Sequence, residues 1–204
     1  LNHYYQGRGI AIWGGNYIYI LNNNVYDCPN SGIRANNSDY IRVAFNEVYN
    51  NTWWSFNAES AIVFAQSKSI DNDLKIKMRI ENNLVYNNMN RLPFYLKSKP
   101  CTGSYRYGCA DQDFIIDGSG SYITRNNNDG IEPREDDENP NGQYIGRFYF
   151  SNNINYGNGI NGLVVHKTDN AVVTNNLAYV NGAVPTDSEL NLSLIHISEP
   201  TRPI

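Results

Sequence analysis

The feature that most restricts how this chain can fold is a short motif, Asn-x-x-Tyr, that returns five times behind alternating apolar residues. The copies are Asn23-Asn-Val-Tyr26, Asn46-Glu-Val-Tyr49, Asn83-Leu-Val-Tyr86, Asn153-Ile-Asn-Tyr156 and Asn176-Leu-Ala-Tyr179. Successive motif asparagines lie 23, 37, 70 and 23 residues apart. A period of roughly 20 to 25 residues belongs to solenoids, where each repeat is one supersecondary unit that buries its apolar side only by stacking on its neighbours. Two intervals match one such turn of chain. The longer two read as single turns carrying inserted loops.

Five residues before each motif asparagine stand Ile18, Ile41, Met78, Phe148 and Ala171, and three before it stand Ile20, Val43, Ile80, Phe150 and Val173. Period-two spacing sends both sets to one face of a strand. Stacked at about 4.8 Å they would form two apolar rows inside the solenoid. The asparagine itself then falls at a bend, where its amide can stack into a ladder and where Asn tolerates a left-handed backbone.

A second segment repeats upstream: Gly9-Ile-Ala-Ile-Trp13, Gly32-Ile-Arg-Ala-Asn36, Ala61-Ile-Val-Phe-Ala65, Gly120-Ser-Tyr-Ile-Thr124 and Gly162-Leu-Val-Val-His166. A small residue opens each copy. The inward pairs are Ile10/Ile12, Ile33/Ala35, Ile62/Phe64, Ser121/Ile123 and Leu163/Val165. Outward positions are Ala11, Arg34, Val63, Tyr122 and Val164, followed by Trp13, Asn36, Ala65, Thr124 and His166. Each turn therefore supplies at least two short strands. Insertions interrupt the pattern at about 51–59, 88–114 and 126–143, all in the middle coils, where a binding groove is expected.

Composition agrees. The 204 residues include 33 Asn, 16 Gly and 16 Tyr, a mixture poor for helices and suited to strands and turns. A net charge of −4 provides no basic field for nucleic acid, which is not expected as a partner. No run of 18 apolar residues is present, so no membrane span is expected. Cys101 and Cys109 stand in a loop-like stretch that a disulfide could staple, with two free thiols as the alternative. No Cys/His spacing suggests zinc, and no metal ligand is assigned. Asn36-Asn37-Ser38 and Asn50-Asn51-Thr52 form glycosylation sequons. The chain opens at Leu1 without Met. Leu192-Ser-Leu-Ile-His-Ile-Ser-Glu-Pro-Thr-Arg202 reads like the translation of a transposase-type sequencing adapter. The expected division is a β-helix domain over 1–191, incomplete at one or both ends, and a non-native tail over 192–204.

The pattern Gly-Ile-x-Ile … Ile-x-Asn-Asn-x-Val-Tyr-x-Asn, over about residues 7–184, resembles the right-handed β-helix repeats of the pectate-lyase-like superfamily. The resemblance implies an all-β fold: a single-stranded, right-handed parallel β-helix with loop insertions in the middle coils. It also implies a secreted or cell-surface, monomeric protein that meets a polysaccharide or other glycan. Activity is left open, since such folds host lyases, hydrolases and non-enzymatic surface proteins.

Within that frame the alignment puts Arg125 and Lys167 in register on neighbouring coils. Two cations a strand spacing apart disfavour each other's charge, lowering the lysine pKa toward that of a base able to take the proton α to a uronate carboxylate. Lyases resembling this fold use Lys or Arg so, often with calcium neutralising the sugar carboxylate. The bland alternative is a pair of solvated strand-end residues pairing with Asp169 or Asp129. His166, outward by alternation, is a candidate proton shuttle or hydroxyl ligand. Glu59 and Asp117, each just ahead of an upstream-segment strand, are the alternative acid pair for glycoside hydrolysis, or calcium ligands with Asp113, or ordinary turn caps. Trp53, Trp54 and Phe56 suit stacking on sugar rings or packing of their own loop, and Trp13 and Tyr122 offer outward aromatic surfaces. Arg34 is a candidate for a carboxylate or sulfate. β-Elimination, hydrolysis and non-catalytic glycan binding or adhesion are the three functions these residues allow.

Overall fold

A computed structural model describes residues 7–53, 59–89, 118–127 and 139–182. They form fifteen strands and, among the described residues, no helix. The strands make three parallel sheets of five. Sheet one contains, in spatial order, β1 (Ile10–Trp13), β4 (Ile33–Asn36), β7 (Ile62–Ala65), β10 (Ser121–Thr124) and β13 (Leu163–His166). Sheet two contains β2 (Asn16–Leu21), β5 (Asp39–Ala44), β8 (Ile76–Glu81), β11 (Arg147–Ser151) and β14 (Ala171–Thr174). Sheet three contains β3 (Asn24–Tyr26), β6 (Glu47–Tyr49), β9 (Leu84–Tyr86), β12 (Ile154–Tyr156) and β15 (Leu177–Tyr179). Each strand from β1 to β12 pairs with the one three places on, so the chain visits the sheets in turn and comes back one layer further along. Such an order is compatible with a parallel β-helix or related solenoid.

Registers match the sequence alignment residue for residue. Ile10, Ile33, Ile62, Ser121 and Leu163 form one column of sheet one, and Ile12, Ala35, Phe64, Ile123 and Val165 the next inward one. Ile18, Ile41, Met78, Phe148 and Ala171 form a column of sheet two, as do Ile20, Val43, Ile80, Phe150 and Val173. The middle members of these columns make the buried core. Burying each large apolar side chain is worth roughly 1.5–3 kcal/mol. In the final described coil the same columns surface: Val173 is 49% exposed where Phe150 is 0%, because Val173 has a neighbour on one side only among the described residues.

The motif asparagines form the expected ladder. Asn23 Nδ2 donates to Asn46 Oδ1 at 3.0 Å, Asn46 to Asn83 at 3.0 Å, Asn83 to Asn153 at 3.0 Å and Asn153 to Asn176 at 2.9 Å. The left-handed backbone does not lie on these asparagines, however. It falls one residue earlier, on Asn22, Phe45, Asn82, Asn152 and Asn175, at φ of 53–59°. The preceding residue makes the corner, and the ladder amide then ties the coils together.

Three features go beyond the two-strand reading. Each coil has a third strand, and in it the motif tyrosines stack: Tyr26, Tyr49, Tyr86, Tyr156 and Tyr179 have ring centroids 5.0–5.2 Å apart. A second amide ladder follows it, Asn51 to Asn88 to Asn158 to Asn181, at 3.1, 2.9 and 3.0 Å. The four glycines that open sheet-one strands, Gly9, Gly32, Gly120 and Gly162, sit against this corner. A Cβ on Gly32 would come 2.7 Å from Val48 Cγ1 and 2.9 Å from Asn51 Nδ2. One on Gly120 would come 2.5 Å from the Gly162 carbonyl oxygen. The third feature is a further insertion, 66–75, between β7 and β8.

That insertion and the segment entering β11 converge on a buried polar cluster. In β8, Lys77 is an extra residue relative to β11, where Arg147 pairs with Ile76 and Phe148 with Met78. Its ammonium is buried with Asp39, 3.2 Å from Asp39 Oδ2 and 2.6 Å from Asp71 Oδ1. Tyr144, also buried, donates its hydroxyl to Asp39 Oδ1 at 2.6 Å. Bonds from Lys77 and from the Asp73 amide hold the Asp71 carboxyl down, from an ordinary 3.8 to about 2. A carboxylate whose folded pKa is depressed contributes stability above its unfolded value and loses it as pH falls through the folded one. Urea melts at descending pH should therefore show the Asp71 contribution intact above 3.8 and fading toward about 2. Asp71→Asn should flatten that stretch, and an unaltered acid limb in this variant would refute the pairing.

Candidate functional site

The outer face of sheet one gathers the chemistry-bearing candidates, because alternation leaves its second and fourth residues outward in every coil. Arg34, Val63, Tyr122 and Val164 share one outward column, and Asn36, Ala65, Thr124 and His166 share the other. Immediately after these strands the chain turns through a left-handed residue. In the last two described coils those residues are Arg125, φ 56°, and Lys167, φ 45°. Their side chains thus leave from equivalent corners of adjacent coils, and the Asn126 amide donates to the Lys167 carbonyl at 2.8 Å. The neighbourhood expected from the alignment is present.

His166 is exposed beside them. Its Nδ1 lies 3.0 Å from Thr124 Oγ1 and 3.2 Å from the Tyr122 hydroxyl. The Tyr122 ring stands 6.1 Å from the imidazole. Two side chains of one coil therefore fix the orientation of a histidine on the next. Asp169, named as a possible partner for the cations, accepts instead from Gln143 Nε2 at 2.9 Å.

The other end of the face is organised around Glu59. Its carboxylate is buried and joined by Arg34 Nη1 to Oε2, by Arg8 Nη2 at 3.4 Å and by Ser31 Oγ at 2.8 Å. Arg34 Nε also donates to Asn36 Oδ1 at 2.6 Å. Burial pushes the Arg34 guanidinium below its ordinary pKa; Glu59 opposes the shift, and the charges of Arg8 and Arg125 add to it. Arg34 thus holds an internal carboxylate, and Glu59 stands as the counter-charge to two arginines. Trp13, 58% exposed, lies 5.7 Å from the Arg8 guanidinium and 5.9 Å from that of Arg34, an aromatic platform steadied from two sides. Trp53 is at the edge of its insertion and partly exposed.

Asp117, Trp54, Phe56, Asp113, Asp129, Cys101 and Cys109 lie outside the described residues, as does the 192–204 tail, so the proposed Glu59–Asp117 pair and the disulfide lie there too. Cys28 is a free thiol. Among the described residues no three His, Cys, Asp or Glu side chains converge where a cation could sit. Of the calcium set Glu59, Asp113 and Asp117, only Glu59 lies among the described residues, and it is engaged by arginines. No described helix is long and apolar enough to cross a membrane. What sequence reasoning missed here is the Arg8–Glu59–Arg34 cluster, since Glu59 reaches its partners from an insertion that follows no repeat. Comparisons with known protein families, with curated proteins and with solved structures found no match.

Proposed function

We propose that the chain is part of a secreted or cell-surface, right-handed parallel β-helix of the pectate-lyase-like kind, acting on an acidic polysaccharide by β-elimination. The handedness rests on the strong right-handed preference of parallel crossover connections. The observation that carries the chemistry is the register of β10 with β13. It brings Thr124 beside His166 and hence Arg125 beside Lys167 on an outward corner. In this reading Arg125 faces the uronate carboxylate and lowers the cost of charge developing on it. Lys167 takes the proton from C5. The C5–H electrons form a C4–C5 double bond, the C4–O glycosidic bond breaks, and the departing oxygen is protonated by His166. Trp13 supplies a sugar-stacking surface further along the face.

The reaction is read directly by the ultraviolet absorbance of the unsaturated uronate released from polygalacturonate. Lys167→Met should lower that rate at least about 100-fold, the scale of losing a positioned base. Arg125→Ala should lower kcat and kcat/KM together, as loss of an interaction that strengthens in the transition state does. Equal rates in the Lys167 variant and the parent would overturn the assignment of the base. Reducing ends without absorbance would replace elimination by hydrolysis, and binding with neither signal would leave a non-catalytic glycan-binding surface.

A further inference from the structure

We propose a second glycan-binding strip on the outer face of sheet two: a ladder of Tyr19, Arg42, Arg79 and Tyr149 that takes the carboxylates of a uronate polysaccharide lying along the stack. Register puts these four side chains in one outward column, Tyr19 beside Arg42, Arg42 beside Arg79, and Arg79 beside Tyr149. Adjacent members are therefore about 4.8 Å apart along the strand-stacking direction. The strip lies on a different sheet from Lys167. It shares only its ligand class with the sheet-one reading and needs no chemistry there.

Its electrostatics are incomplete as built. Two guanidiniums one strand spacing apart repel, and a single carboxylate, Glu81, serves both: Oε1 accepts from Arg42 Nε at 2.6 Å and Oε2 from Arg79 Nη1 at 3.5 Å. Glu81 is largely buried, whereas the arginine side chains are 35% and 37% exposed. Because Glu81 engages the Nε edge of Arg42, the two terminal nitrogens keep no hydrogen-bond acceptor among the described residues. That is the fork which binds a carboxylate bidentately. The Arg79 guanidinium lies 5.3 Å from the Tyr149 ring centroid and that of Arg42 5.9 Å from Phe45, cation–π contacts that steady both. Among the described residues one positive charge therefore stays without a counter-charge, on a chain whose net charge is −4.

Tyr19, 66% exposed, ends the ladder with an open aromatic surface of the kind a pyranose ring stacks upon. A polymer with apolar ring faces and regularly spaced carboxylates satisfies both parts. Single-stranded nucleic acid would call for a continuous cationic groove, which one excess charge does not make.

The test is calorimetric binding of polygalacturonate to the whole chain at low ionic strength, in a Lys167→Met background so that the polymer stays intact. Arg42→Gln with Arg79→Gln should weaken binding at least about tenfold, and Tyr19→Ala by a smaller factor, with thermal midpoints near the parent's. Should the double glutamine variant fail to fold, Arg42→Lys with Arg79→Lys retains the charge and loses the fork, and should still bind more weakly. Unchanged affinity in a folded double variant and in Tyr19→Ala would overturn the strip, as would tighter binding to oligothymidylate than to polygalacturonate. Wild-type chain that binds in this arginine-dependent way yet releases no unsaturated product would remove the lyase reading and leave the strip standing.

Discussion

Asn83→Ala should lower stability by about 3–5 kcal/mol, read as a shift of the urea midpoint, because it cuts a buried ladder in its centre. The Asn83 side chain takes part in four hydrogen bonds. Its Oδ1 accepts from the Asn46 amide and from Asn46 Nδ2, each at 3.0 Å. Its Nδ2 donates to the Val43 carbonyl at 2.9 Å and to Asn153 Oδ1 at 3.0 Å. Alanine leaves the buried Asn46 amide without an acceptor, and an orphaned buried donor alone costs about 1–3 kcal/mol. The remaining bonds add about 1 kcal/mol each at most, since their partners have other neighbours. Asn83→Asp tests the same point differently. It keeps the acceptor but sets an oxygen against Asn153 Oδ1 where a donor stood, and should be no less damaging. In the first described coil, Asn23→Ala removes the donations to Leu21 and Asn46 from a part-exposed site, and should cost under half as much. A similar small effect at Asn83 and Asn23 would mean that the amides merely occupy the turn.

The same ladder shows what made the fold legible. Sheets one and two could be read because their strands each carry two inward residues, and two residues repeated over five coils make a pattern that chance does not imitate. Sheet three escaped because its strands are three residues long and turn one side chain inward, so alternation had nothing to alternate with. Its inner column is Val25, Val48, Val85, Asn155 and Ala178. The second ladder carried a signal: Asn51, Asn88, Asn158 and Asn181 each follow a motif asparagine by five residues, with Cys28 at that place in the first coil. A constant offset across coils of unequal length marks a rigid corner.

At the candidate site the division falls elsewhere. Arg125 and Lys167 could be aligned because they directly follow strands whose register is dictated by a buried column. The partner of Arg34 could not, because Glu59 comes from an insertion, and where an insertion folds back depends on contacts with no periodicity. Lys77 was hidden for a third reason. It is one residue too many for its strand, and a slip of one residue exchanges inside for outside, which a period-two reading cannot register.

That extra residue yields the other large expectation: Lys77→Met should destabilise the chain by about 3–5 kcal/mol at neutral pH, although methionine is the more apolar side chain. The reason lies with Asp39. Its buried carboxylate accepts from Lys77 Nζ, the Tyr144 hydroxyl, and the amides of Tyr40 and Ile70. Only the ammonium brings a compensating charge, so its removal leaves an anion in the interior. Tyr40, whose ring stands 5.0 Å from Nζ, adds a cation–π contact to the loss. Adding Asp39→Asn should recover at least about 1 kcal/mol, since a neutral amide can keep accepting from Tyr144 and no longer needs a counter-charge. The pH dependence gives an independent check. Burial works against the Lys77 charge, but the bonds from Asp71 and Asp39 outweigh it and the pKa is raised above 10.5. A raised folded pKa means a contribution complete below the unfolded value and lost as pH climbs through the folded one. The gap between parent and Lys77→Met should thus hold steady through neutral pH and, on the alkaline side, close above 10.5. Amide exchange at Tyr144 and Ile145 should quicken in the variant, because that segment is tied to the coils through Asp39 and the Ser69 hydroxyl. If the double variant were no more stable than Lys77→Met, the cost would belong to packing around the lysine stem, and the ion pair would have no part in it.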